Sequence, residues 1–189
     1  TVGVAGLPDF MRGPGEHVDV PSESEAGLQV RFTSQGGVRT MTFTVAWDPA
    51  LLRVDGVLPG TGLPAGAQID WTIEDAPGGQ MLARITIVSD TPIAAGQQAI
   101  VSLDATVPDT APYGSSEILT VSVEMINNAA PAATQDEEAL HLVGYYGDTD
   151  ADRQLTLMDL WLTTRVALGI DSEFRDWAGA PPALVTDLR

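Results

Sequence analysis

The sequence predicts a mainly β chain, a sandwich of about seven to nine strands, with a small α-helical segment at its C-terminal end. Two observations predict it. Through about Val143, apolar and polar residues alternate with period two, broken by Gly and Pro, and no long 3.6-residue periodicity intervenes. From Leu157 the period switches, and Leu157, Leu160, Trp161, Thr164 and Leu168 fall on one helical face. The change of pattern divides the chain into residues 1–143 and 144–189.

The strands follow in order. His17 to Pro21 sets Val18 and Val20 on one side, and Leu28 to Thr33 sets Leu28, Val30 and Phe32 against Gln29, Arg31 and Thr33. Val38 to Trp47 alternates most cleanly, with Met41, Phe43, Val45 and Trp47 on one face and Thr40, Thr42 and Thr44 on the other. Asp48-Pro49 ends it, and Leu51 to Val57 is a short apolar run. Ile69, Trp71 and Ile73, the turn Ala76-Pro77-Gly78-Gly79, and Met81, Ala83, Ile85 and Ile87 read as a hairpin. Ile100 to Val107 and Ile118 to Ile126 add two alternating strands. Asn127 to Glu138 reads either as a loop before a last strand, Ala139 to Val143, or as a linker. Gly169 stands where the C-terminal helix ends, and a further short helix fits after Ser172.

With 189 residues and no cysteine, the chain has room for one good core or two small ones and carries neither disulfides nor thiol chemistry. Twenty-six acidic residues stand against 9 basic ones, all arginine, for a net charge of -17. Nucleic acid is a poor partner for such a surface, since phosphate binding needs clustered Lys and Arg. Divalent cations are attracted to it. No apolar stretch is long enough for a transmembrane helix, and a chain that opens on Thr1-Val2-Gly3 has the look of a mature or excised fragment.

The most specific motif is the twelve-residue run from Asp148 to Asp159. It presents oxygen ligands as an EF-hand-like calcium loop does: Asp148, Asp150 and Asp152, the Gln154 backbone carbonyl, Thr156 directly or through water, and Asp159. Its sixth position, where the backbone turns sharply, is Arg153 instead of glycine, at a cost of about 1 kcal/mol or somewhat more for a left-handed residue. Its last ligand is Asp, shorter than the Glu of the strongest loops. The expected cofactor is Ca2+. Weak loops of this kind suit millimolar calcium, so the expected home is extracellular or the cell surface.

Gly147 to Asp152 continuing through Asp159-Leu160-Trp161-Leu162, with a helix behind the loop and none before it, resembles the dockerin module of cellulosome-type assemblies. Dockerins carry two such repeats; Ala183-Leu184-Val185-Thr186-Asp187 is similar to the opening of a second. The β region resembles cohesin, the jelly-roll sandwich that binds dockerins, in Gly13 to Pro21, in Phe43 to Val57 and in Ile87-Val88-Ser89-Asp90. These resemblances imply a non-catalytic adhesion pair, with Leu157, Met158, Thr164 and Arg165 at the dockerin recognition positions. The partner they imply is a cohesin or dockerin module of another protein or of this chain. Against that, a helical stripe such as the one on Leu157 is more often buried on its own domain.

No local motif pairs two carboxylates for glycoside hydrolysis. His17 and His141 have no nucleophile or zinc-ligand spacing and read as ordinary surface or strand residues. Trp47 and Trp71 are in phase with apolar neighbours, which predicts burial. An exposed aromatic row would indicate the alternative function, a polysaccharide-binding sandwich with a calcium-stabilised appendage; a third option is the tail of a larger hydrolase. A flat aliphatic and polar face would indicate a protein partner.

Overall fold

The computed structural model describes residues 3–20, 27–131 and 136–186. Ten strands in these residues form two facing sheets. They are β1 (Gly3–Gly6), β2 (Phe10–Arg12), β3 (Leu28–Ser34), β4 (Val38–Trp47), β5 (Arg53–Pro59), β6 (Gln68–Asp75), β7 (Met81–Ile93), β8 (Gly96–Thr106), β9 (Ser116–Ile126) and β10 (Asp136–Val143). One sheet has the order β1-β3-β8-β5, the other β2-β10-β9-β4-β7-β6. All pairings are antiparallel except β2 with β10.

Alternation places the core. Phe43, Val45 and Trp47 of β4, Ile85 and Ile87 of β7, and Val121 of β9 face Phe32, Ile100 and Leu103 of the opposite sheet, all essentially buried. Each such aliphatic or aromatic side chain contributes about 1.5–3 kcal/mol by leaving water. The expected hairpin is present, with Ile69 opposite Ile87 and Trp71 opposite Ile85.

Five sequence expectations are corrected. The strand count exceeds nine because β1 and β2 are too short to show a period. His17 to Val20 makes only single bridges, to Thr106 and Leu28, and Pro21 lies outside the described residues. Leu51 and Leu52 are not strand: their amides close a turn on the Asp48 carbonyl, and β5 begins at Arg53. Trp71 is 38% exposed, because β6 is an edge strand whose inward side is only partly covered. Within Asn127 to Glu138, residues 132–135 lie outside the described residues, and β10 starts at Asp136, earlier than expected.

Beyond β10 the chain runs through the acidic loop into α1 (Leu157–Ala167), a 3-10 turn at Arg175–Trp177, and α2 (Pro182–Val185). Thr156 caps α1, and Gly169, at φ +69, ends it. A second apolar cluster joins Met11 and Leu142 of the sandwich to Phe174, Trp177, Ala180 and Val185, with Leu162 and Val166 of α1 packed against it. Val143 therefore marks a change of composition and not a break in packing. The approach is close: a Cβ on Gly144 would sit 2.3 Å from the Trp177 ring and 2.5 Å from the Met11 methyl.

Candidate functional site

Asp148 is fully buried at the start of the loop, and both of its carboxylate oxygens and its backbone carbonyl accept hydrogen bonds. Its Oδ2 accepts from the Tyr113 hydroxyl and from the Arg153 amide at 2.8 Å, and its Oδ1 accepts from the Asp152 amide at 3.2 Å. Its backbone carbonyl accepts from Trp177 Nε1 at 2.7 Å. The carboxylates of Asp148, Asp150 and Asp152 converge, with one oxygen of each within 4.8 Å of the others. Asp150 Oδ1 is shut off from water and has no hydrogen-bond partner. Burial, then the charges of Asp152, Asp159 and Asp148, push the Asp150 carboxyl above the ordinary range. Three hard oxygen donors crowded against their own repulsion, one of them orphaned, fit a divalent cation of the calcium or magnesium kind.

Asp159 is 4% exposed and faces a different set of donors. Oδ1 accepts from the Thr149 amide at 2.7 Å and the Thr149 hydroxyl at 3.1 Å; Oδ2 accepts from the Thr156 amide at 2.7 Å and its hydroxyl at 3.2 Å. Burial raises its carboxyl, but the four hydrogen bonds outweigh it and hold the group below the usual range. Thr156 is the α1 N-cap, its hydroxyl accepting from the Met158 amide at 3.1 Å. Gln154 is exposed, and its amide donates to Asp152 Oδ1 at 2.8 Å. Of the six expected ligand residues, the three early aspartates are drawn together, while Asp159 and Thr156 form a capping box beside them.

Arg153 is left-handed at φ +68, the conformation expected of the glycine position, and Ala151 at φ +57 adds a second such residue that the spacing did not foretell. Tyr113 and Trp177 were likewise missed, for they reach Asp148 from 35 and 29 residues away. Tyr113 stands among Pro108, Pro112 and Gly114, a composition that signals a turn and no ligand contact.

The expected burial of the α1 stripe is overturned. Leu157 is 82% exposed and Trp161 53%, and Leu160, Thr164 and Leu168 are exposed with them. The helix buries the other side, through Asp159, Leu162, Thr163 and Val166, because Phe174 and Trp177 lie there. Among the expected recognition residues, Leu157 and Met158 project into solvent, and Thr164 bonds back to the Leu160 carbonyl at 2.7 Å. Arg165 is half-buried, paired with Asp171 at 2.6 and 2.8 Å and stacked 4.7 Å from the Trp161 ring centre. Pro182–Val185 is one helical turn with Val185 buried, and Asp187, the first position of the expected second loop, lies outside the described residues.

The outer face of the larger sheet carries Thr40, Thr42, Thr44 and Ala46 on β4, with Thr42 and Thr86 hydroxyls 3.2 Å apart. Leu82 and Val88 of β7 and Ile118 of β9 flank them, and Arg84 is paired with Glu124. No aromatic residue occupies an outward position of β4, β6, β7 or β9. His17 is paired with Asp104 at 2.9 Å on the surface. His141 is buried, stacked on Phe10 at 4.5 Å, and 2.8 Å from Glu117, whose other oxygen accepts from the Asp48 amide at 2.6 Å. His17 is thus a surface residue and His141 a buried strand residue.

The fold is similar to a non-cellulosomal cohesin from the hyperthermophilic archaeon Archaeoglobus fulgidus, at 16% identity and TM-score 0.52, over 75% of this chain and 92% of that one. It is similar to the sixth cohesin of scaffoldin B from Acetivibrio cellulolyticus, solved in complex with a dockerin, at 17% identity and TM-score 0.50, over 75% and 99%. A type I cohesin-dockerin complex from Clostridium thermocellum gives 11% identity and TM-score 0.51, over 75% and 100%. No curated protein matches the chain. The cohesin domain family model matches residues 14–137, the body of the sandwich from the turn before His17 into β10, and the chain belongs to the cohesin family.

Proposed function

We propose that this protein is a non-catalytic, extracellular or cell-surface scaffolding fragment. In this reading a cohesin sandwich, residues 1–143, is joined to a dockerin-like segment, residues 144–189, ordered by Ca2+. Asp148, Asp150 and Asp152 would hold the ion, with Asp159, the Gln154 carbonyl and Thr156 as further donors around the same loop. Calcium supplies the positive charge that three converging carboxylates lack, and its binding fixes the start of α1.

The observation that carries the docking half is the exposed stripe on α1. Leu157, Met158, Leu160, Trp161 and Leu168 are apolar side chains left exposed on α1, which no described part of the sandwich buries. A surface of this composition is unusual on an isolated domain and marks a protein contact. The sandwich in turn offers a flat Thr-rich face without aromatics, which supports a protein ligand such as a dockerin and weakens the polysaccharide alternative.

The test is sedimentation of the protein over a range of concentrations, in calcium and in chelator, with and without added dockerin, and with cellulose pull-down alongside. Binding of dockerin, or calcium-dependent self-association, supports the reading. A monomer that ignores dockerin under all conditions sinks it, and retention on polysaccharide would replace it with the sugar-binding alternative.

A further inference from the structure

Tyr113 belongs to the turn-rich connection between β8 and β9, yet its hydroxyl sits inside the acidic loop. It accepts from the Tyr145 amide at 3.0 Å and donates to Asp148 Oδ2. Burial, then the bond to Asp148, push the phenol well above the ordinary tyrosine range, so it remains a neutral donor. Its ring packs 5.6 Å from Tyr145 and 5.8 Å from Trp177, and the Arg153 guanidinium lies over it at 5.0 Å.

A carboxylate has about four acceptor positions. On Asp148, the Tyr113 hydroxyl and the Arg153 amide take both positions of Oδ2, and the Asp152 amide takes one on Oδ1. The remaining position is on Oδ1. Trp177 holds the carbonyl of the same residue, and Trp177 is packed with Met11 and Leu142 of the sandwich. The orientation of the loop's first carboxylate is therefore set jointly, by two amides of the loop and by the Tyr113 hydroxyl that the sandwich supplies.

We infer that Tyr113 is a positioning residue of the metal site, supplied by the sandwich, and that occupancy of the loop is linked to the stability of the sandwich itself. This rests on the calcium reading above. Groups that orient a metal ligand typically govern affinity by about 10–100-fold. A ligand that binds only the folded state stabilises whatever unfolds with its site, so a shared site spreads that effect into β4 and β9.

The experiment is calcium calorimetry and amide exchange on the whole chain, wild type and Tyr113→Phe, with thermal midpoints in chelator. Expected are calcium binding weakened about tenfold or more in Tyr113→Phe, and, in the wild type, exchange slowed by calcium in β4 and β9 as well as in residues 144–186. Equal affinity in the two proteins, with only the chelator midpoint lowered, would make Tyr113 merely structural and overturn the inference. So would wild-type protection confined to residues 144–186, a result that needs no variant. An absence of calcium heat in the wild type would instead remove the calcium reading, and this inference with it.

Discussion

Asp159 accepts the backbone amide of Thr149 at 2.7 Å, tying the last residue of the acidic loop to its second while its other oxygen caps α1 through Thr156. One buried side chain thus closes the loop and starts the helix. Asp159→Ala removes a cap worth about 0.5–2 kcal/mol and strands buried donors at about 1–3 kcal/mol. A loss of about 2 kcal/mol is expected, which at about 2–4 °C per kcal/mol lowers the thermal midpoint by about 4–8 °C. Circular dichroism melting in chelator measures it; an unchanged midpoint would show that the capping box contributes nothing.

Arg153→Gly decides between opposed effects. Glycine relieves a left-handed residue by about 1–2 kcal/mol, but costs about 0.5–1 kcal/mol in unfolded-chain entropy and loses the stacking on Tyr113, about 0.5–1 kcal/mol. The balance is near zero, so the midpoint in chelator should move by less than about 4 °C. A larger gain would mean that the guanidinium contributes nothing on the Tyr113 ring.

Gly144→Ala places a methyl between Trp177 and Met11, where the added Cβ has no room. Overpacking of this kind costs about 1–3 kcal/mol. Urea unfolding followed by tryptophan fluorescence should show a lower transition midpoint, and the wild-type midpoint would mean that the second apolar cluster is loose.

Asp171 is held below the usual carboxylate range first by its hydrogen bonds from Arg165 and then by the Arg165 charge, against the desolvation of burial. A depressed folded value means that the unfolded chain binds its proton first as pH falls. The pair's contribution is therefore present above about pH 3.9, the ordinary aspartate value, and is lost as pH drops through the lower folded value. Carboxyl-carbon NMR should place the Asp171 midpoint below that of an unpaired aspartate, and Arg165→Gln should return it upward.

Leu157→Ser and Leu160→Ser change residues that touch no core. Stability should stay within about 0.5 kcal/mol, while any calcium-dependent association measured by sedimentation should weaken. Association unaffected by both changes would move the contact off this face of α1.

Legibility in the sequence tracked locality. β4 was readable because Met41, Phe43, Val45 and Trp47 alternate without interruption, and the aspartate trio because its spacing is local. β1 and β2 carry too few residues to show a period. The helix of Leu157 was readable, but α1 has two apolar stripes, and periodicity alone does not say which one packs. Phe174 and Trp177 settle that, and their position depends on the sandwich end at Met11 and Leu142. Tyr113 was invisible for the same reason: its partner is distant in the chain.

The parallel pairing of β2 with β10 has a mechanical meaning. Phe10 lies opposite His141, Met11 opposite Leu142 and Arg12 opposite Val143, and the Gly144 amide adds a bond to the Arg12 carbonyl. A pull that draws the chain before Phe10 one way and the chain after Val143 the other runs along these two strands. It loads their cross-links in shear, all at once, in place of peeling them in sequence. Tension between the two sides of the sandwich meets a short clamp, and the first barrier to forced extension should lie in those few residues.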